Sequence, residues 1–297
     1  MANWKLILSY NGEHFHGWQV QPGLVTVQGK LAEALYRITG ETILPQGAGR
    51  TDAGVHALAQ VASFSSDVAI PPANLQRALN RVLPSAVRVI LAEHAPAGFH
   101  ARHAARRKLY EYRLFEARGN GADETVRERL CSPFLAPFVW NCPWPLCEDW
   151  LQAAAAELLG TQDFSAMAAA NRAVPEDEVG VDAGRMNTRP NPVKTIYSSA
   201  WHRVDGLLVY RVCGSGFLHH MVRNLVGTMV DIGRGSTKLE HLKQILDSRD
   251  RSQAGPTAPA SGLFLVEVGY ENANQLPDSV DARVKSVMPQ AEGIACA

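Results

Sequence analysis

The chain has 297 residues, of which 46% are apolar and 20% charged, a balance that supports a large buried core and excludes wholesale disorder. That length predicts two domains, or one large sheet with two lobes, rather than a single small module. Lysine plus arginine and aspartate plus glutamate number 29 each, so no overall positive field draws nucleic acid, and any basic surface has to be local.

Trp4, Leu6, Leu8 and Tyr10 alternate with Lys5, Ile7 and Ser9, the period of a strand with one buried face. Behind Lys5 the apolar run is too short for a secretory signal, and no stretch of the chain is apolar for long enough to span a bilayer. A soluble, cytoplasmic protein without a membrane partner is expected. Val27, Leu31, Leu35 and Ile38 recur at helical spacing, with Thr26 placed to cap the helix and Gly40 to stop it. An apolar strand over 58–64 follows, then a helix opened by Pro71 and Pro72 and carrying Leu75, Leu79, Val82 and Leu83, then a strand through Val87, Val89 and Leu91. Over 108–115, Tyr110, Tyr112 and Leu114 alternate with Leu109, Glu111 and Arg113, so both tyrosines share one sheet face.

In the second half the spacing predicts helices over 146–159, 217–232 and 239–246 and a strand over 263–270. Asp205-Gly206 suits the turn of a hairpin. Strands interspersed with helices, and at least one hairpin, argue for an α+β fold with a largely antiparallel sheet rather than a doubly wound parallel one. The stretch 168–192, with its prolines, glycines and charges, and the tail beyond Glu271 read as loosely packed. Five cysteines with no Cys-x-x-Cys pair encode neither a disulfide framework nor a zinc ribbon. The histidine pairs His14/His16, His100/His103 and His219/His220 come without a supporting carboxylate or cysteine arrangement, so no metal site is expected.

The densest signal is the glycine-rich polar segment 47–57, directly before an apolar strand, a setting in which loops hold reactive groups on a rigid scaffold. Taken alone, Thr51-Asp52-Ala53-Gly54 also fits an Asx-turn in which Asp52 caps its own backbone. A dinucleotide fingerprint fails, because Asp52 stands where its third glycine belongs and a strand follows instead of a helix. Arg102, His103, Arg106, Arg107 and Lys108 form a local basic cluster with no acid among them.

The string Gly49-Arg50-Thr51-Asp52-Ala53-Gly54-Val55-His56-Ala57 resembles the active-site motif of the tRNA pseudouridine synthase A family, whose members modify the tRNA anticodon stem-loop. Phe99-His100-Ala101-Arg102 leading to Tyr110-Glu111-Tyr112, the block from Phe217 to Asn224, and Ala258-Pro259-Ala260-Ser261-Gly262-Leu263 are similar too, in the family's order and spacing. The 168–192 stretch is longer than its family counterpart, and the tail has none.

The resemblance implies isomerisation of uridine to pseudouridine at tRNA positions 38, 39 and 40, with Asp52 as the essential carboxylate and neither metal nor small-molecule cofactor. Attack by Asp52 on C6 of uracil, attack on C1′, and removal of a C2′ proton all remain open. Each needs an ionised carboxylate in a dry site, hence a cationic partner. Arg223 is the candidate, on the predicted helix with His219, His220 and Gly227, opposite Met221, Leu225 and Ile232. By the same resemblance Arg50 enters the space that the flipped base leaves, and Tyr110 stacks on the uracil. Arg102, Arg106, Arg107 and Lys108 are candidate phosphate contacts.

The implied architecture is two ferredoxin-like or RNA-recognition-like α+β lobes, 1–105 and 106–270, with sheets joined around a basic cleft. A flexible insertion at 168–192 and a poorly ordered tail at 271–297 complete it. The implied partners are tRNA and a second copy of the chain in a homodimer. A non-catalytic RNA-binding protein is the main rival, but a phosphate-facing loop gains nothing from a buried acid. A hydrolytic or redox enzyme lacks its Ser-His elbow, metal set or dinucleotide loop.

Overall fold

The computed structural model describes residues 1–118, 129–169 and 191–270. The expectations for the insertion at 168–192, apart from its ends, and for the tail at 271–297 lie outside the described residues.

Alternation along β1 (Ala2–Tyr10) turns Trp4, Leu6, Leu8 and Tyr10 inward. Helix α1 (Val27–Thr39) begins where Thr26 accepts a hydrogen bond from the Gly29 N–H and ends at Gly40 in the left-handed region; such an N-cap contributes about 1 kcal/mol. After the short β2 (Gln46–Gly47) come β3 (His56–Ser66), α2 (Pro72–Val82) and β4 (Val87–His94). Leu31 and Leu35 of α1 and Leu75 and Leu79 of α2 join Trp4, Leu6 and Leu8 in one contiguous core.

The chain continues through β5 (Arg107–Glu116), β6 (Trp140–Cys142), α3 (Glu148–Ala156), β7 (Gly160–Asp163), β8 (Val193–Val204), β9 (Leu207–Gly214), α4 (Met221–Gly233), α5 (Glu240–Ser248) and β10 (Leu263–Gly269). The β8–β9 hairpin turns at Asp205 and Gly206, whose φ angles of 49° and 78° are the two positive values such a turn requires. All these strands form one ten-stranded sheet in the order β4-β1-β3-β10-β5-β9-β8-β7, with β2 beside β3 and β6 beside β5. Only β3/β10 and β5/β6 pair parallel, so the expected α+β fold with a largely antiparallel sheet is present. Among the described residues no helix is long and apolar enough to cross a membrane.

Strand β10 sets up the site. It runs parallel to β3, with Phe264 opposite His56, and antiparallel to β5, with Leu265 opposite Tyr110. The last strand of the described chain therefore lies between the segment that carries Asp52 and the strand that carries Tyr110.

Two helices are shorter than their spacing predicts. The 217–232 helix starts only at Met221, because His220 takes a left-handed conformation, φ 60°, that no right-handed helix accommodates. The 146–159 helix is reduced to Glu148–Ala156, and Gly160–Asp163 forms an edge strand whose polar residues give no apolar alternation to detect.

His56, the first residue of β3, is buried and spoken for at both nitrogens. The Gly12 N–H donates to Nδ1 at 3.0 Å, so Nε2 carries the proton and donates to the Pro137 carbonyl at 3.1 Å. Burial holds its pKa below the ordinary 6.5, against smaller opposing contributions from its hydrogen bonds. A histidine depressed in the folded state takes up its proton first in the unfolded chain, so stability falls as pH drops below about 6.5 toward the folded pKa. Urea denaturation at pH 7.5 and 5.5 should show His56→Gln losing less stability on acidification than wild type does. Equal losses would remove His56 from the account.

Candidate active site

The segment between β2 and β3 is clasped from both sides through its backbone and the Thr51 hydroxyl. Trp18 N–H donates to the Thr51 carbonyl at 3.0 Å and Gly54 N–H to the Phe15 carbonyl at 3.2 Å. The Thr51 hydroxyl bonds the Tyr10 hydroxyl at 2.8 Å, and Gln60 Nε2 donates to the Gly49 carbonyl at 2.8 Å. Val55 N–H closes the turn on the main-chain carbonyl of Asp52 at 3.1 Å. The Asx-turn alternative therefore fails, because the backbone makes the turn and leaves the carboxylate free for other partners.

Those partners arrive from the far end of the sequence. Arg223 Nη1 donates to Asp52 Oδ2 at 3.2 Å, and the two side chains keep only 15% and 19% exposure. Arg223 Nε donates to the Ala258 carbonyl at 2.7 Å, and the neighbouring Pro259 carbonyl accepts from the Tyr112 hydroxyl at 2.9 Å. The Ala258–Leu263 block thus holds the arginine at the angle that meets Asp52. His219 Nε2 lies 3.4 Å from Oδ1 and His220 Nε2 3.4 Å from Oδ2. Their rings pack together at 4.0 Å between centroids.

Both histidines lie in the turn before α4, and Asp52 is their carboxylate neighbour, which corrects the sequence expectation of a helical pair without one. Asp52, His219 and His220 offer three ligand atoms within 4.8 Å of one another, the number of protein ligands a catalytic metal centre uses. The Arg223 guanidinium already bonded to Oδ2 would repel a dication, so the arrangement suits an ion pair better than a metal.

Burial pushes the Asp52 carboxyl up, but the His219 hydrogen bond and the His220, His219 and Arg223 charges outweigh it and hold the carboxyl below the ordinary range. Burial also keeps His220 below the ordinary imidazole value, only partly offset by Asp52, so His220 is largely neutral near pH 7. Arg223 is then the permanent cation of the group.

Tyr110 is buried beside this group, close enough for the Asp52 charge to add to the effect of burial in raising its hydroxyl pKa. The edge of Phe217 meets its ring at 5.0 Å, a contact that residue spacing did not reveal. Tyr112, on the same face, is fully buried and is a core residue. Arg50 is exposed at the rim of the loop.

The basic cluster divides. Arg102 and Arg106 are exposed, and Lys108 shares the Tyr110 face of β5. Arg107 points the other way, is buried, and pairs with Glu267 at 3.3 Å, so the expectation that it contacts phosphate is corrected: its guanidinium is committed within the protein.

Arg223 adds to the larger contributions of His219 and His220 in holding the Asp52 pKa down, so removing its charge should raise that pKa. A depressed carboxyl stays ionised until pH falls through its folded pKa, so wild-type activity should lose its acid limb only below the ordinary carboxylate range. In Arg223→Ala the remaining activity should be much smaller and its acid limb should lie at a higher pH than in wild type. Acid limbs at the same pH in both proteins would rule out Arg223 as the group that keeps Asp52 ionised.

A family model described as tRNA pseudouridine synthase matches residues 6–103 and 154–271. The tRNA pseudouridine synthase A of Solibacter usitatus is 44% identical over 270 residues, which cover 91% of this chain and 100% of the relative. The proteins of the same name from Maridesulfovibrio salexigens, 38% identical over 273 residues with 91% of each chain covered, and Acetivibrio thermocellus, 36% over 270 residues with 91% of this chain and 100% of the relative covered, are also similar. With one matched stretch of the family model carrying Asp52 and the other Arg223, and whole-length relatives at this identity, the chain belongs to the tRNA pseudouridine synthase family.

Proposed function

We propose that this protein isomerises uridine to pseudouridine in the anticodon stem-loop of tRNA, acting on a base flipped out of the stem and needing no cofactor. The observation that carries the reading is a shielded carboxylate, Asp52, kept ionised by His219, His220 and Arg223 beside the buried Tyr110 ring. The reaction breaks the bond from C1′ to N1 and forms one from C1′ to C5. N1 gains a proton and C5 loses one, so atoms and electrons balance within the nucleotide and water. What the protein has to supply is an ionised group at the sugar or base, a surface that holds the detached uracil, and exclusion of water.

Asp52 fits the first need, whether it adds to the nucleotide or takes a C2′ proton. Tyr110 fits the second, since its face suits a planar base, with Phe217 supporting the ring from the side. Extruding a stacked base costs roughly a few kcal/mol, and Arg50, which is exposed, is the residue we assign to the vacated space. Arg102, Arg106 and Lys108 are proposed phosphate contacts. The zero net charge leaves affinity to such local groups. Two α+β lobes around a basic cleft, and a homodimer that shares one tRNA between subunits, complete the proposal on the strength of family membership. The free cysteines among the described residues suit the reducing cytoplasm.

Tritium released from C5-labelled uridine in tRNA reports the reaction directly. Asp52→Asn should keep tRNA affinity and lose release altogether; near-normal release by a folded Asp52→Asn protein would refute the role of the carboxylate. Tyr110→Phe keeps the stacking surface and should retain more binding than Tyr110→Ala, whose loss should be on the order of 1–3 kcal/mol. Equal losses in the two variants would argue against stacking.

A further inference from the structure

Lys108 differs from the other basic residues of its cluster in where its charge lies. It precedes Tyr110 by two residues on β5, opposite Gly214 of β9, so the two side chains leave the same face roughly 7 Å apart. Its ammonium reaches over the Asp52 loop: a Cβ added at Gly49 would stand 2.9 Å from Nζ, so only glycine leaves the ammonium this position. The charges acting on it are Arg102, from the turn before β5, and Lys194, from β8, both positive, and among the described residues Lys108 forms no ion pair. Burial first, and then those two like charges, push its pKa down to about 8.

An ammonium that is largely desolvated, unpaired and flanked by two cations is costly in the free protein. The cost is removed when an anion arrives. If a uracil lies against Tyr110, as the proposed function has it, the phosphates on its own ribose fall within the reach of a lysine rooted one strand repeat away. We infer that Lys108, backed by Arg102 and Lys194, clamps a phosphate of the target nucleotide itself and thereby places its ribose against Asp52. Lys108 then serves the chemical step, whereas the exposed Arg106 serves general RNA affinity. Lys194, on a strand far from the basic cluster in sequence, enters the site only through the β8–β9–β5 pairing.

The inference rests on the proposed function, and the test separates the two. Single-turnover rates at saturating enzyme are measured with three anticodon stem-loops: one unmodified, one with an uncharged methylphosphonate on the 5′ side of the target uridine, and one with it on the 3′ side. Wild type should isomerise the unmodified RNA and slow on the order of 10²-fold on one methylphosphonate RNA, a loss typical of misplacing a reacting group. Lys108→Ala should slow by a similar factor on the unmodified RNA and lose nothing further on that same methylphosphonate RNA. Lys108→Arg should restore most of the rate, and above pH about 8 it should avoid the slowing that wild type shows as its lysine discharges.

A folded Lys108→Ala protein with a wild-type rate, or one that loses the full factor again on both methylphosphonate RNAs, overturns the clamp. A wild-type protein that isomerises none of the RNAs overturns the proposed function and the clamp with it.

Discussion

The contact between Asp52 and Arg223 joins positions 171 residues apart, and most of what is distinctive in this fold serves to make it. A carboxylate in a largely shielded site protonates unless a cation stands beside it. His219 and His220 lie against the carboxylate as well, and Arg223 is the cation whose charge is permanent; it is itself restrained, since Nε is bonded to the Ala258 carbonyl and the Ala258 N–H returns a bond to the Arg223 carbonyl. Loss of one partner from such a buried pair leaves an uncompensated charge, which typically costs about 3–5 kcal/mol. The same constraint explains why the Asp52 segment is gripped at Gly49, Thr51 and Gly54 by residues outside it. A loose loop would lower the cost of swinging the carboxylate into water.

The sheet supplies the rest. By pairing with β3 on one side and β5 on the other, β10 brings the Asp52 segment and Tyr110 to one place. The segment just before β10 also carries the carbonyls of Ala258 and Pro259, which orient Arg223 and Tyr112. Three sequence blocks that look unrelated along the chain therefore have a common physical purpose. One offers the acid, one the arginine, and the third holds the arginine in register.

Much of this was legible in the residues. Alternation in β1 and β5, the Thr26 cap, the Gly40 stop and the Asp205-Gly206 turn are local signals, and local signals survive folding. Asp52, Arg223 and Tyr110 were nameable because an intact motif and its companion blocks stand in the chain. The histidines at Asp52 were not, because a helical reading through 217–232 hides the left-handed residue at His220 that turns both rings toward the carboxylate. The partnership of Phe217 with Tyr110 and the approach of Lys194 to Lys108 depend on long-range strand pairing that no periodicity encodes. The split between Arg107 and Lys108 is different. Strand alternation alone separates their faces, although the sequence reading groups both as phosphate contacts.

The site depends on Asp52 being ionised in the folded protein at pH values where an ordinary buried carboxyl is not. The most direct measurement is a ¹³C NMR titration of the aspartate side-chain carboxyls in the free protein, with the Asp52 signal assigned by its loss in Asp52→Asn. A midpoint below the ordinary 3.8, moving up in Arg223→Ala, is the result predicted. A wild-type midpoint at or above that value, unchanged when Arg223 is removed, would contradict a carboxylate held ionised by the groups around it, Arg223 among them.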